Sequence, residues 1–545
     1  MLRLSGVGVS NGRAAGPVVR VAEPLPEPPA SPAVTDPEAE AARIPPAAQA
    51  VADGLFARAA SVEGDAKAVL ETTAAMAMDP SLSSRAEQLV NQRAVPAPRA
   101  VLEAAGEFAE SLRATGGYLA ERVRDVHDVR DRIIAELLGV RPPGVPALQE
   151  PSVLVARDLA PADTADLDPD LVLALATEEG GPTSHTAILA RSLGIPAVVA
   201  VRGLLAETAA IAAEVDGDSG AVELSEERVE VRAAERADTT DWTGSGGTSD
   251  GTRVKILANV GAAADTAAAV SARAEGVGLF RTEFCYLAAE DEPDVATQRA
   301  AYAEVLEPFA GKTVVVRTLD AGADKPLGFL DTGNEPNPAL GVRGLRVAFD
   351  LPEVLDRQLT AIAGAAGDSG ADVSVMAPMV ATPEEAAWFA ERARTAGIAR
   401  VGAMVEVPAA ALIARELLEV VDFVSIGTND LAQYVFAADR QLGALAGLND
   451  PWQPALLRLI AMIGRAGSET GKSVGVCGEA AADPLLARVL VGLGVSSLSM
   501  VATAVPAVGS AVAGASLPAC ERAAETALAA SDAAGAKAAV RAAFE

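Results

Sequence analysis

Apolar and polar positions change rhythm along this chain. From Leu2 to Val21, short apolar stretches are broken by Gly6, Gly8, Gly12 and Gly16, which predicts short strands and tight turns. A proline-rich connector follows, from Pro24 to Pro46. From about Ala47 to Leu138 strand signals vanish, and alanine, leucine, glutamate and arginine dominate. Near the end of this block Val123, Val126, Ile133, Ile134, Leu137 and Leu138 recur at three- and four-residue steps, the spacing of one helix face. Pro80 and Pro96-Ala97-Pro98 divide the block into several helices, and Gly139 with Pro142-Pro143-Gly144 closes it.

Strand patterns return at Val153-Leu154-Val155 and at Val172 to Leu175, and up to Val229 apolar runs alternate with short helical stretches. The helical block, residues 23–144, therefore reads as an insertion in a mixed α/β domain of residues 1–22 and 145–230. Residues 231–251 contain DTTDWTGSGGTSDG, a linker by composition. Beyond Gly251 apolar runs recur regularly, each followed by a helical segment: Lys255–Val260, Val277–Phe280, Val314–Thr318, Val373–Pro378, Val401–Val407, Phe423–Ile426, Val474–Val476 and Val495–Leu498. That alternation predicts an eight-stranded (β/α)8 TIM-type barrel over residues 252–545. An open doubly wound sheet would alternate in the same way. The polar residues favour the barrel: Arg281, Arg317, Glu406, Asn429, Asp430 and Cys477 lie at or just past strand ends. In a barrel those ends form one mouth, where active sites are built.

Length and charge narrow the classes. A chain of 545 residues implies two to four domains. Half of it is hydrophobic, yet no apolar run approaches the roughly 20 residues of a membrane helix. Residues Met1 to Gly12 lack the layout of a secretory signal. Three widely spaced cysteines, Cys285, Cys477 and Cys520, indicate neither a disulfide framework nor a zinc cluster, and a reducing cytoplasm fits best. A net charge of −30 repels nucleic acid and anionic membranes and favours a basic protein partner. With aromatics at 3%, stacking platforms for single strands are missing too. A phosphate substrate would need local arginines to overcome the global field.

The candidate chemistry starts with two histidines. His185 lies in GGPTSHTAILARSLGIP, where Thr183 or Ser184 can cap a helix and Gly194 with Pro196 ends it. In the first turn of that helix, free N–H groups and the dipole favour a negative group on the ring and disfavour the imidazolium. A neutral nitrogen there can attack phosphorus. Taken alone, the residue reads more readily as a capping-region histidine without chemistry. His127, among Asp125, Asp128 and Asp131, reads as a solvated surface residue. At the barrel mouth, Glu406 and Asp430 can hold one hard cation such as magnesium, or they can be salt-bridged barrel carboxylates. Arg281 and Arg317 can each fork a phosphate, with Arg440 closing from a loop. Glu283 could instead neutralise Arg281. Cys477, beside a glycine at a strand end, could be inert or a proton donor.

These stretches together resemble a known family. GGPTSHTAILARSLGIPAVV matches the phosphohistidine signature of enzymes that use phosphoenolpyruvate. GVGLFRTEF, VVVRTLDAGADKP, NPALGVRGLR, MVEVPAA, FVSIGTNDLAQY, VCGEAAADP and LGVSSLSM follow in the order seen in Enzyme I, the phosphoenolpyruvate–protein phosphotransferases of the bacterial sugar phosphotransferase system. The resemblance implies a swivelling phosphohistidine domain with an inserted helical subdomain, followed by a phosphoenolpyruvate-binding barrel that forms a homodimer. His185 matches the phosphorylated histidine and Thr164 the threonine that positions its ring. Arg281, Arg317 and Arg440 match the arginines that grip phosphoenolpyruvate, and Asn429 and Asp430 a pair that touches it. Glu406 and Asp430 match ligands of Mg2+, and Cys477 the donor that turns enolpyruvate into pyruvate. The helical subdomain would dock the phosphocarrier protein HPr. Gln441-Leu442 and Asn449-Asp450-Pro451-Trp452 depart from the family pattern beside the mouth.

Two rivals remain in view. A pyruvate phosphate dikinase or phosphoenolpyruvate synthase shares the histidine and barrel motifs but adds a large nucleotide-binding domain, and no Gly-rich phosphate loop occurs here. A catalytically silent phosphosensor would have no need of the metal, phosphate and proton-donor residues. The expected reaction is ping-pong: phosphoenolpyruvate to His185, pyruvate released, then His185 to HPr, with a hinge in residues 231–251.

Overall fold

The structure, a computed structural model, describes residues 2–10, 12–21, 27–29, 31, 34–60, 65–115, 123–140, 144–146, 148–159, 167–168, 170–181, 184–233, 242–286, 291–322, 327–330, 335–440 and 442–544. The chain divides into two compact units, residues 1–236 and 237–545.

In the first unit, β1 (Leu2–Ser5), β2 (Val7–Ser10), β3 (Arg13–Arg20), β4 (Ser152–Ala156), β5 (Val172–Thr177), β6 (Ala197–Val199), β7 (Ala212–Asp216) and β8 (Ala221–Ser225) form one sheet. Its order is β1-β8-β7-β3-β4-β5-β6-β2. Strands β3 to β6 run parallel, and β1, β2, β7 and β8 add antiparallel pairings. Every residue of β4 and β5 is buried, which is why both read as continuous apolar runs. Val153, Val155 and Ala174 face one core, and Leu154, Val172 and Leu175 face another, where Ala187 and Ala190 of the helix His185–Leu193 pack.

Between β3 and β4 the helices Pro37–Ala41, Ile44–Ala59, Asp65–Ala77, Pro80–Arg93, Ala97–Thr115 and Val123–Leu138 surround a core of their own that includes Ile44, Leu55, Leu70, Leu89, Ile133 and Ile134. Pro80 opens its helix behind Asp79, whose carboxylate accepts from the Ser81 N–H at 2.7 Å. Of the apolar stripe that marked the last helix, Leu138 falls outside: it is 48% exposed, at the last helical position before the left-handed Gly139. His127 is half-buried rather than fully solvated.

The second unit contains β9 (Lys255–Val260), β10 (Gly276–Arg281), β11 (Thr313–Arg317), β12 (Asp372–Ala377), β13 (Val401–Val405), β14 (Phe423–Ile426), β15 (Ser473–Val476) and β16 (Ser497–Met500). All pair in parallel, and β16 closes on β9 to complete the barrel. The last strand starts later than the apolar pattern Val495–Leu498 suggests. The Val495 N–H is taken by the Leu490 carbonyl at 3.1 Å, where the preceding helix ends, so that residue completes a helix cap. Alternate residues separate two cores. Val314, Val316, Val375, Val424, Ile426, Val474 and Val476 pack outward against the helices. Leu279, Met376, Met404, Phe423 and Cys477 form a distinct cluster in the lumen.

Residues 242–251, linker-like in composition, are packed on the barrel. Trp242 is 6% exposed, and its indole N–H donates to the Ala272 carbonyl at 2.9 Å. Its ring lies so close to the helix Val505–Ala513 that a Cβ on Gly509 would come within 2.2 Å of it. The earlier stretch, 234–241, lies outside the described residues. Among the described residues no single helix is long and apolar enough to cross a membrane.

The Trp242–Gly509 contact predicts a non-additive pair. Trp242→Ala should destabilise the barrel by about 3 kcal/mol, as loss of a buried aromatic does. Gly509→Ala alone should cost about 1–3 kcal/mol through the clash, but be neutral or mildly stabilising in the Trp242→Ala background. Urea unfolding of the three variants measures the coupling.

Candidate active site

Every barrel strand ends on the same rim, and the residues there are charged and buried. Arg317, the last residue of β11, is 7% exposed. Its guanidinium meets Glu283 Oε1 at 3.1 Å and Asp320 Oδ2 at 3.3 Å. Arg343 is 1% exposed and spans Asp320 (3.1 Å) and Asp430 (3.3 Å). Arg440 reaches Asp430 from its loop at 3.8 Å. The result is an alternating row, Glu283–Arg317–Asp320–Arg343–Asp430–Arg440, in which each buried charge has an opposite neighbour, as burial requires. Burial alone would lower the Arg317 guanidinium, but Glu283 and Asp320, with Glu406 behind them, hold it above its ordinary value.

Glu406 follows β13 and is 1% exposed. Among the described residues it makes no ion pair; its Oε2 accepts from the Met379 N–H at 2.9 Å. Burial first, then the charges of Asp430 and Asp320, push its carboxyl well above the usual carboxylate range, against the pull of Arg317. This repulsion is what a hard divalent cation relieves. Glu406 and Asp430 fit such an ion as a partial shell, to be completed by water and substrate oxygens. The described residues contain no group of three or more protein ligands that could enclose a metal alone.

Two glycines make the crowding possible. A Cβ on Gly427 would lie 2.6 Å from Glu406 Oε1, and one on Gly478 would lie 1.9 Å from Thr428 Oγ1. The helix Thr428–Phe436 begins at Gly427, which places Asn429 and Asp430 in its first turn. There the dipole favours the Asp430 carboxylate. Asn429 Oδ1 accepts from the Glu479 N–H at 3.2 Å, tying this helix to the end of β15.

Arg281 ends β10 at the exposed rim, its guanidinium 5.6 Å from the Phe284 ring centre. Among the described residues it has no ion pair. Glu283 pairs with Arg317 instead, because the turn Thr282–Cys285 carries Glu283 toward the end of β11, where it also accepts from the Asp320 N–H at 2.8 Å. Desolvation first and the Arg317 charge second lower the Arg281 guanidinium. A guanidinium depressed by a neighbouring cation sits in a field that an anion relieves.

Cys477 lies just past β15, 4% exposed. Its thiol donates to the Ile426 carbonyl at 3.6 Å. Burial pushes the thiol up to about 11, partly offset by the neighbouring Ser425 hydroxyl. It is therefore protonated at neutral pH. The Cys477 carbonyl accepts from Asn259 Nδ2 at 3.1 Å, and Ser499 donates to Asn259 Oδ1 at 2.7 Å.

His185 belongs to the other unit. It is the first residue of the helix His185–Leu193, whose cap is Ser184, with its hydroxyl accepting from the Ala187 N–H at 3.3 Å. Thr186 donates to Asp158 at 3.0 Å, and Gly194 ends the helix with φ +66°. Thr164, Thr183 and Gln441 lie outside the described residues.

Compared with known proteins, the chain matches three consecutive family descriptions. They are "PEP-utilising enzyme, N-terminal" over residues 5–122, "mobile domain" over 148–220 and "PEP-binding domain" over 236–517. The chain belongs to the PEP-utilising enzymes. Within this family it is similar to a protein named phosphoenolpyruvate-protein phosphotransferase from Streptomyces coelicolor, at 54% identity over 99% of this chain and 98% of that one. Proteins of the same name from Haloferax volcanii (42% identity, 94% of each chain) and Bacillus subtilis (36%, 93% of each) are also similar.

As in the sequence-based expectation for a PEP-utilising enzyme, Arg281, Arg317, Glu406, Asn429, Asp430, Arg440 and Cys477 lie at one end of the barrel. Asp320 and Arg343, which link the row, carried no role in that expectation. They lie in RTLDAGADKP and NPALGVRGLR, past strand ends but outside the apolar runs used as landmarks.

The row predicts that Arg343→Met, which leaves Asp320 with Arg317 and Asp430 with the more distant Arg440, destabilises the barrel by about 3 kcal/mol. Adding Asp320→Asn should recover part of that loss rather than deepen it. Denaturant titrations of the single and double variants give both numbers.

Proposed function

We propose that the chain is a phosphoenolpyruvate–protein phosphotransferase. It takes the phosphoryl group of phosphoenolpyruvate onto His185, releases pyruvate and passes the group to the phosphocarrier protein HPr, the first step of the sugar phosphotransferase system. The observation that carries this is the mouth itself. Beside its buried row of alternating charges stands Arg281, without an ion pair among the described residues and next to Arg317, an arrangement that favours an anion there. Full-length similarity to proteins named for this reaction supports it.

In this mechanism Arg281 and Arg317 fork the phosphate and Arg440 closes over it, neutralising charge as the bond to phosphorus loosens. Asn429 and Asp430 touch the same ligand. Glu406 and Asp430 would hold Mg2+, which when bound supplies charge neutralisation to substrate oxygens. A neutral nitrogen of His185 takes the phosphoryl group, and the helix N-terminus favours the negative product. Cys477 gives its proton to C3 of enolpyruvate, completing pyruvate. The helical subdomain, residues 23–144, docks HPr, and the hinge for the exchange lies in the part of 231–251 that precedes Trp242. Three free cysteines support a reducing, cytoplasmic setting. The barrel unit forms a homodimer.

Mixed with magnesium and labelled phosphoenolpyruvate, the protein should acquire label and lose it to added HPr. His185→Ala should take none; label at another residue would overturn the assignment. Labelling from ATP instead would favour a dikinase. Glu406→Gln should lower labelling by about a hundredfold or more, and excess magnesium should not restore it. Cys477→Ala should lower pyruvate formation by about 10² or more, the usual worth of a positioned proton donor.

A further inference from the structure

The barrel lumen has two unlike walls. Val424, Ile426, Val474, Val476, Leu498 and Met500 belong to the outer core, so strand alternation turns Ser425, Gly475, Cys477, Ser497 and Ser499 inward. The opposite wall is Leu279, Met376 and Met404. Barrel interiors are normally filled by bulky branched side chains. Here one wall carries hydroxyls and a glycine beside Phe423.

These groups form a series that ends at the thiol. Ser425 lies on the strand next to that of Cys477, on the same inward face, and its hydroxyl partly offsets burial at the thiol. Ser425 is paired in register with Gly475, and Gly475 with Ser497. A Cβ on Gly475 would lie 2.7 Å from Ser497 Oγ and 3.7 Å from Ser425 Oγ, so with glycine no side chain separates the two hydroxyls. Ser497 is partly exposed and pairs with Lys255 at the N-terminal rim, whose Nζ donates to Thr313 Oγ1 at 3.2 Å. Another inward hydroxyl, Ser374, is 1% exposed and has no hydrogen-bond partner among the described residues. A buried hydroxyl left unpaired by protein marks a place for water.

We propose that this polar wall resupplies the proton that Cys477 loses in each turnover, drawing it from solvent at the N-terminal rim of the barrel. This rests on the role of Cys477 proposed above. When the thiol protonates enolpyruvate, the S–H bond breaks, a C–H bond forms at C3 and a thiolate remains. Ser425 then gives its hydroxyl proton to the sulfur and takes one from water beside Gly475. Ser497 replaces that proton from water at the rim. One proton enters for each pyruvate formed, and nothing is oxidised or reduced. The route stays open while substrate or pyruvate fills the mouth.

The test uses the full chain in D2O with magnesium, phosphoenolpyruvate and pyruvate labelled with radioactive carbon. Carbon exchange into phosphoenolpyruvate can proceed with one proton passed back and forth. Deuterium entry into the pyruvate methyl requires Cys477 to trade its proton with solvent. Gly475→Ala, which puts a methyl between the two hydroxyls, and Ser497→Ala, which removes one hydroxyl, should each lower the ratio of deuterium entry to carbon exchange by about tenfold or more. If Gly475→Ala loses both exchanges through distortion of the barrel, Ser497→Ala decides. An unchanged ratio in a variant that keeps carbon exchange overturns the route. Absence of carbon exchange in the unaltered protein overturns the phosphotransferase reading instead.

Discussion

Charge that is taken out of water must be matched by charge, and the barrel mouth is organised around that constraint. Arg317 and Arg343 are almost fully buried, and each lies between two carboxylates. Only the row as a whole keeps the desolvation of any one member tolerable. It also fixes geometry, because the guanidinium of Arg343 holds Asp320 and Asp430 at set distances across the mouth. Glu406 stands outside the pairing and Arg281 at its edge. The uncompensated part of the site therefore sits where a cation and an anion would enter together.

Much of the fold was legible because barrel strands are buried on both sides and so read as dense apolar runs. All eight runs in residues 252–545 correspond to strands; the fifth stops at Val405 rather than Val407, and the last is delayed by the helix cap at Val495. Composition was a weaker guide. The segment containing Trp242 has the glycine, serine and threonine content of a free linker, but one indole packed against Gly509 secures it. Propensity describes what a backbone can do alone, and a single large apolar contact overrides it.

The candidate site was legible where reactive residues end strands, as with Arg281, Arg317, Glu406 and Cys477. It was less so where loops cross the mouth. No local pattern pairs Glu283 with Arg317 rather than Arg281, since that choice depends on how a short turn leaves β10. Arg343 lies 87 positions from Asp430 in sequence, and only closure of the barrel brings them together. The inward hydroxyls were illegible for another reason. Serine within a strand is unremarkable until the register shows which face it lines.

Closure has one more consequence. A cylinder of parallel strands has no free border, whereas the sheet of the first unit ends in β1 and β2. Those borders are only four residues long, and β1 carries Arg3, features that discourage a foreign strand from adding on. Any assembly of the barrel unit must therefore be made by side chains rather than by shared backbone hydrogen bonds. Its strength can be tuned one residue at a time, without disturbing the strand ends that carry the chemistry.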